Sequence, residues 1–267
     1  YPSSLKTDKA SEAEIYYFGK RADYEIISRL MPGCVHIKRI RAAKAGGVLV
    51  LGCGLRESEQ DLHKELYDFF KTGGKILILP QSGFTFGNLT ISKKDFLRAH
   101  ASCYCHPVLS GLLNDDFAYW HPHVGEYGPD PFISGAFEKP VYGDFNIILE
   151  TSFGDFNDGG DLWTPLVEYK KGQGRVLACQ IEVMQNYDTV PQACILLRNM
   201  LSYISCAQNI YKKTYALVTK EDEEFLDAIK LSCQKNTDHR INQIQVVGLR
   251  RIKVICQEIL YRMNKEF

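Results

Sequence analysis

The stretch Val48-Leu49-Val50-Leu51-Gly52-Cys53-Gly54 is a run of four large aliphatic residues that ends in a glycine turn. Successive side chains of a strand project to opposite faces, so a strand that is apolar at every position has to be covered on both. Four residues are too few for a helix, and glycine punctuates the end of the run. The segment therefore predicts a fully buried strand that feeds a tight turn and then a helix.

The reading extends outward from there. Residues 14–18, 35–40 and 75–79, like 47–51, are short β-branched or aromatic runs bounded by Gly, Pro or charge. Between them lie helical patterns. Residues 23–31 carry Ile26, Ile27 and Leu30 on one face and stop at Pro32-Gly33; residues 57–72 carry Leu62, Leu66 and Phe69 and stop at Gly73-Gly74. This alternation predicts an α/β fold with a mostly parallel sheet and helices on both faces.

Residues 81–143 break the rhythm. Rich in Gly, Pro, His and aromatics, they hold one helical pattern, at 92–99, and predict long loops over the sheet. Regular structure resumes with strands at 146–150, 166–169 and 175–182. A helix follows at 190–204, with Ala193, Leu196, Leu197, Met200 and Leu201 on its apolar face. This closes a first domain, residues 1–207. Residues 208–267 repeat the pattern, with strands at 215–219 and 243–248 and helices at 221–234 and 250–264. Two such βα units are too small to stand alone, so they either complete the first sheet or begin a truncated second domain.

Composition narrows the function. Of 267 residues, 45% are hydrophobic and 24% charged, as in a globular protein. Thirty-two basic and thirty-two acidic side chains cancel. A neutral chain without a basic segment lacks the field that draws phosphate backbones or anionic lipid, so neither nucleic acid nor membrane is expected as a partner. No apolar stretch reaches the roughly 18–20 residues that span a bilayer. The nine cysteines are an odd number, and Cys179, Cys194, Cys206 and Cys256 lie in apolar segments where a free thiol packs as a small hydrophobe. That pattern predicts a reducing, cytoplasmic compartment and gives little weight to the sequon Asn88-Leu89-Thr90. Tyr1-Pro2-Ser3-Ser4 does not have the pattern of a signal peptide, and the chain is expected to be an excerpt of a longer one.

Several residue sets have the right chemistry by type. Cys53, in its glycine turn, faces backbone N–H groups that acidify a thiol, but a nucleophile there needs a histidine base such as His106 or His121, and chain order alone brings neither to it. An ordinary strand-to-helix turn explains the segment as well. Cys103-x-Cys105-His106 with His121-x-His123 and Glu126 has enough donors for zinc but not the usual spacing, so no metal or other cofactor is expected. Trp120, His121, His123 and Glu126 are the candidates for carbohydrate contact, set against packing of the aromatic ring in the core. Asp115, Asp116, Asp130, Asp155, Asp158 and Asp161 are eligible for a glycosidase pair by type, which surface loops commonly are. Ser82 follows a strand, but Pro80 stands where a nucleophile elbow needs its first glycine. Gly172-x-Gly174 precedes a strand and reads as a hairpin turn, not a dinucleotide loop.

Three stretches carry a family resemblance by their order and spacing. They are Phe70-x-x-Gly73-Gly74-Lys75-Ile76-Leu77-Ile78-Leu79-Pro80; His106-Pro107-Val108-Leu109-x-Gly111-Leu112 with Asp116-Phe117-x-x-Trp120; and Gly172-x-Gly174-Arg175-Val176-x-x-x-Gln180 leading to Leu196-Leu197-Arg198-Asn199-Met200-Leu201-Ser202-Tyr203. Together, over about residues 15–205, they resemble the non-catalytic, glutamine-amidotransferase-like (flavodoxin-like) accessory domain of bacterial glycoside hydrolases, chiefly family two enzymes of the β-galactosidase and β-glucuronidase type. Active class I amidotransferases of this fold place a catalytic cysteine after the strand that is 75–79 here. The matching position holds Gln81, so the resemblance implies no nucleophile and an assembly role, with the catalytic domain of the same polypeptide or another subunit as partner. The alternatives are a small cysteine enzyme using Cys53 and a carbohydrate-binding module.

Overall fold

The computed structural model describes residues 14–55, 60–83, 85–87, 89–121, 130–140, 144–152 and 162–206, with four short strands between 215 and 255. By their contacts the residues divide into two compact units, Tyr1–Pro140 with Phe145–Gln208 and Val141–Asp144 with Asn209–Phe267.

The first unit begins as the sequence suggests. Strand β1 (Ile15–Phe18), helix α1 (Arg21–Leu30), β2 (Val35–His36), β3 (Val48–Leu51), α2 (Gln60–Lys71) and β4 (Lys75–Ile78) alternate along the chain. The expected strand at 35–40 is shorter than its apolar pattern, because the chain turns into a 3-10 segment at Ile40–Ala42. After β4 come β5 (Thr85–Phe86), β6 (Leu89–Ser92), β7 (His100–Ala101), 3-10 turns at Pro107–Leu109 and Asn114–Phe117, and β8 (Ala136–Glu138). Then follow β9 (Phe145–Ser152), β10 (Leu162–Lys171), β11 (Gly174–Cys179) and α3 (Pro191–Cys206).

Strands β2-β1-β3-β4-β11 lie side by side and are all parallel. Beyond β11 every pairing is antiparallel: β10 with β11, β9 and β8, β8 with β6, β6 with β5, and β9 with β7. The fold is α/β, and its sheet is mixed: parallel from β2 to β11 and antiparallel beyond. The antiparallel part consists of β9 and β10 together with β5 to β8, which residues 81–143, expected as loops, supply to the same sheet.

The helix expected at 92–99 is absent. Phe96 N–H donates to Ile133 O (2.8 Å), Ala99 N–H to Phe117 O (2.8 Å), and Tyr119 N–H to Leu97 O (3.0 Å). Phe96 and Ala99 are both buried, so their spacing of three imitates a helical face. The backbone donors nevertheless go to distant chain rather than to carbonyls four residues back, and the segment is extended.

Burial on both faces of the parallel strands follows the side-chain alternation. Tyr17, Val48, Val50, Leu77, Leu79, Leu177 and Cys179 pack with Ile27 of α1 and with Ala193, Leu196, Leu197 and Met200 of α3. Tyr16, Leu49, Leu51, Ile76, Ile78, Val176 and Ala178 pack with Leu62, Leu66, Phe69 and Phe70 of α2. Helices therefore cover both faces. Gly174 permits the close fit of α2: a Cβ there would overlap the Phe70 carbonyl.

In the second unit, β12 (Tyr215–Leu217), β13 (Gln234–Lys235), β14 (Gln245–Val247) and β15 (Lys253–Ile255) form a four-stranded sheet in the order β13-β12-β14-β15. The expected helix at 221–234 lies outside the described residues except at its end, where Gln234 is in a strand. The expected helix at 250–264 is corrected by β15, whose Val254 pairs with Val246 in an antiparallel ladder. The β-branched residues Val254 and Ile255 suit a strand at least as well as a helix, and the pairing decides between them.

Candidate functional site

In a sheet with parallel strands, ligand and catalytic groups collect where the carboxyl ends of the strands open into turns. Here those ends are Gly52-Cys53-Gly54 after β3, Pro80-Gln81-Ser82 after β4 and Gln180 after β11. Gln81 is buried and fills the place between them. Its Nε2 donates to Gly52 O (2.6 Å) and to Leu79 O (2.7 Å), and its Oε1 accepts from Leu55 N–H (2.9 Å). Its backbone N–H donates to Gln180 Oε1 (2.8 Å), and Gln180 Nε2 returns a bond to Gln81 O (3.3 Å). Both amide protons of the Gln81 side chain are used, and the two glutamines pin three strand ends together. The turn after β4 is therefore filled by a fully satisfied polar plug.

Cys53 is buried beside it. Burial pushes its thiol well up from the usual range, and the charges of Asp23 and Cys179 push the same way against the smaller effect of Lys20. Such a thiol stays protonated and is a poor nucleophile. The groups acting on it are Asp23, Cys179, Lys20 and Glu182. The candidate base His106 is engaged elsewhere, and His121 is half-exposed at the edge of the described chain. His123 and Glu126 lie outside the described residues. Among the described residues no three His, Cys, Asp or Glu side chains come together as a metal site.

Trp120 is packed rather than offered. Its ring stacks on Phe132 at 4.5 Å between centroids and 18° between planes, and its Nε1 donates to Asp116 O (2.8 Å). The motif around it is scaffold. Asp116 accepts from Leu113 N–H (2.7 Å) and from Gln192 Nε2 (3.1 Å), and Asn199 of α3 donates to Val108 O (3.0 Å) and Ser110 O (2.8 Å). These bonds hold both 3-10 turns against α3.

A second polar cluster, apart from His106, escaped sequence reasoning. Glu168 of β10 is 1% exposed, yet it accepts from the Tyr203 hydroxyl of α3 (2.6 Å) and meets Arg175 of β11 (3.0 Å) and Lys170 (2.9 Å). Arg175 also donates to Tyr203 Oη (2.7 Å). His106 Nδ1 accepts from Val108 N–H (3.3 Å), and its Nε2 faces Glu168 Oε2 at 3.8 Å, beyond hydrogen-bond length. Burial raises the Glu168 carboxyl, but the His106, Tyr203 and Lys170 side chains facing it outweigh burial and hold it at about 2. The cluster is a buried tie, ionised at neutral pH, between two strands, a helix and a turn. Arg175 and Tyr203 stand in the resemblance motifs, but Glu168, inside the apolar run of β10, gave no signal except that a lone carboxylate there needs a partner.

No family model matches the chain, and no curated protein matches it. Among solved structures it is similar to an exo-β-1,4-mannosidase from Opitutaceae bacterium strain TAV5 (11% identity, TM-score 0.42, 73% of this chain and 36% of that one). It is also similar to a cytoplasmic protein from Salmonella typhimurium (13%, 0.41, 71% and 98%) and to α-L-fucosidase isoenzyme 2 from Paenibacillus thiaminolyticus (14%, 0.41, 74% and 33%). The chain spans about a third of the length of the two glycosidases.

Proposed function

We propose that this chain is a non-catalytic structural and assembly domain of a larger bacterial glycoside hydrolase acting on β-linked sugars, working in the cytoplasm. Its partner is the catalytic domain of the same polypeptide or another subunit. The observation that carries the non-catalytic reading is Gln81: it occupies the turn after β4 where a class I amidotransferase carries its cysteine, and every polar atom of its side chain is bonded. The buried, protonated Cys53 supports the same reading. The strand order β2-β1-β3-β4-β11 supports a flavodoxin-like arrangement, since it is the 2-1-3-4-5 order of that class. The glycoside hydrolase parent rests on the resemblance of the three motifs.

Two measurements test the two halves separately. The purified chain is expected to release no ammonia from glutamine; release that disappears in Cys53→Ser overturns the non-catalytic half. The reading frame flanking this segment is expected to encode a glycosidase barrel, and a frame without one overturns the parentage.

A further inference from the structure

We propose that Cys103 and Cys105 are a redox-active pair that closes to a reversible disulfide by exchange with a low-molecular-weight disulfide of the glutathione class. His106 N–H donates to Cys103 O at 3.0 Å, so residues 103–106 form a tight turn with the two cysteines at its first and third positions. In such a turn their Cα atoms are about 5–6 Å apart, inside the roughly 4.4–6.8 Å window that a disulfide spans. The turn is anchored at its start, where Ser102 N–H and Cys103 N–H both donate to Ile148 O (3.0 and 3.4 Å). Exposure separates the roles within the pair: Cys105 is exposed and Cys103 half-buried.

Cys105 is the entry thiol. Its thiolate attacks one sulfur of the small disulfide, forms a protein-to-small-molecule S–S bond and expels one small thiolate. The Cys103 thiolate then attacks Cys105 Sγ, forms the intramolecular bond and expels the second small thiolate. The two protons lost by the protein thiols end on the two small thiols; the pair is oxidised by two electrons and the small disulfide is reduced by two. A ring closed over only one intervening residue is strained and exposed. That makes the bond readily reducible, as a regulatory disulfide is and a structural one is not.

Oxidised glutathione added to the full chain is the probe. Mass spectrometry should show a disulfide that maps to the peptide holding residues 103 and 105, no glutathione retained on either of these cysteines, and full reversal by dithiothreitol. Cys103→Ser should instead accumulate glutathione on Cys105, and Cys105→Ser should react much more slowly. Two results overturn the proposal: glutathione retained on Cys105 of the unmodified sequence to the same extent as in Cys103→Ser, or a disulfide that maps to another pair, such as one with Cys206.

Discussion

Replacing Glu168 with glutamine keeps the shape of the side chain and removes its charge, leaving Arg175, 5% exposed, and Lys170 facing a neutral amide. The size of the effect follows from the carboxyl itself. It is held from its ordinary 4.5 down to about 2, which corresponds to about 3 kcal/mol of preferential stabilisation of the folded state at neutral pH. Breaking a buried ion pair by removing one partner costs about 3–5 kcal/mol by a separate route, so the two figures agree. Because the folded carboxyl titrates below the unfolded one, the contribution is complete above about pH 4.5 and drains away as pH falls towards 2. Urea unfolding near pH 7 should show the Glu168→Gln midpoint lowered by about 1–1.5 M. Near pH 3 the gap between the two proteins should shrink to roughly 1 kcal/mol. A midpoint shift below about 0.3 M, or a gap of the same size at both pH values, would refute the idea that an ionised Glu168 ties these elements together.

Gln81→Ala strands the Gly52 and Leu79 carbonyls and the Leu55 N–H, and should destabilise the protein by about 2–4 kcal/mol in the same assay; a loss under about 1 kcal/mol denies that Gln81 is a structural plug. Gly174→Ala forces a methyl group into the Phe70 carbonyl and should cost about 3 kcal/mol or more, read as a fall in Tm. Asn199→Ala removes the bonds to Val108 O and Ser110 O; about 2 kcal/mol of stability should go, with amide exchange accelerating selectively in the turn that holds these residues. Iodoacetamide should leave Cys53 unmodified in the native protein even at mildly alkaline pH, since burial raises its thiol as it pushes Cys34 up to about 11 and Cys179 up to about 12; all three should react once urea unfolds the chain.

Within the first unit, the sequence by itself determined what is local. Continuous apolar runs identified β1, β3, β4 and β11, helical spacing identified α1, α2 and α3, and the residues expected on the helices' inner faces are largely those that pack on the sheet. A side chain's periodicity is printed in the chain, and burial of that periodicity is what forms these elements. The family resemblance also pointed to position 81, as the place where it implies that an active relative holds its thiol. Only the tertiary structure showed what stands there instead, because Gln81 is completed by Gln180, ninety-nine residues away. The same holds for Phe96 and Ala99, whose helical spacing gave way to backbone bonds with Ile133 and Phe117, and for the strands β5 to β8, which are two to four residues long and form no continuous apolar run. Glu168 is the clearest case. A carboxylate in an apolar strand has to find its counter-charges, and the sequence does not say where, since His106, Arg175 and Tyr203 reach it from three other elements only when the sheet and α3 have come together.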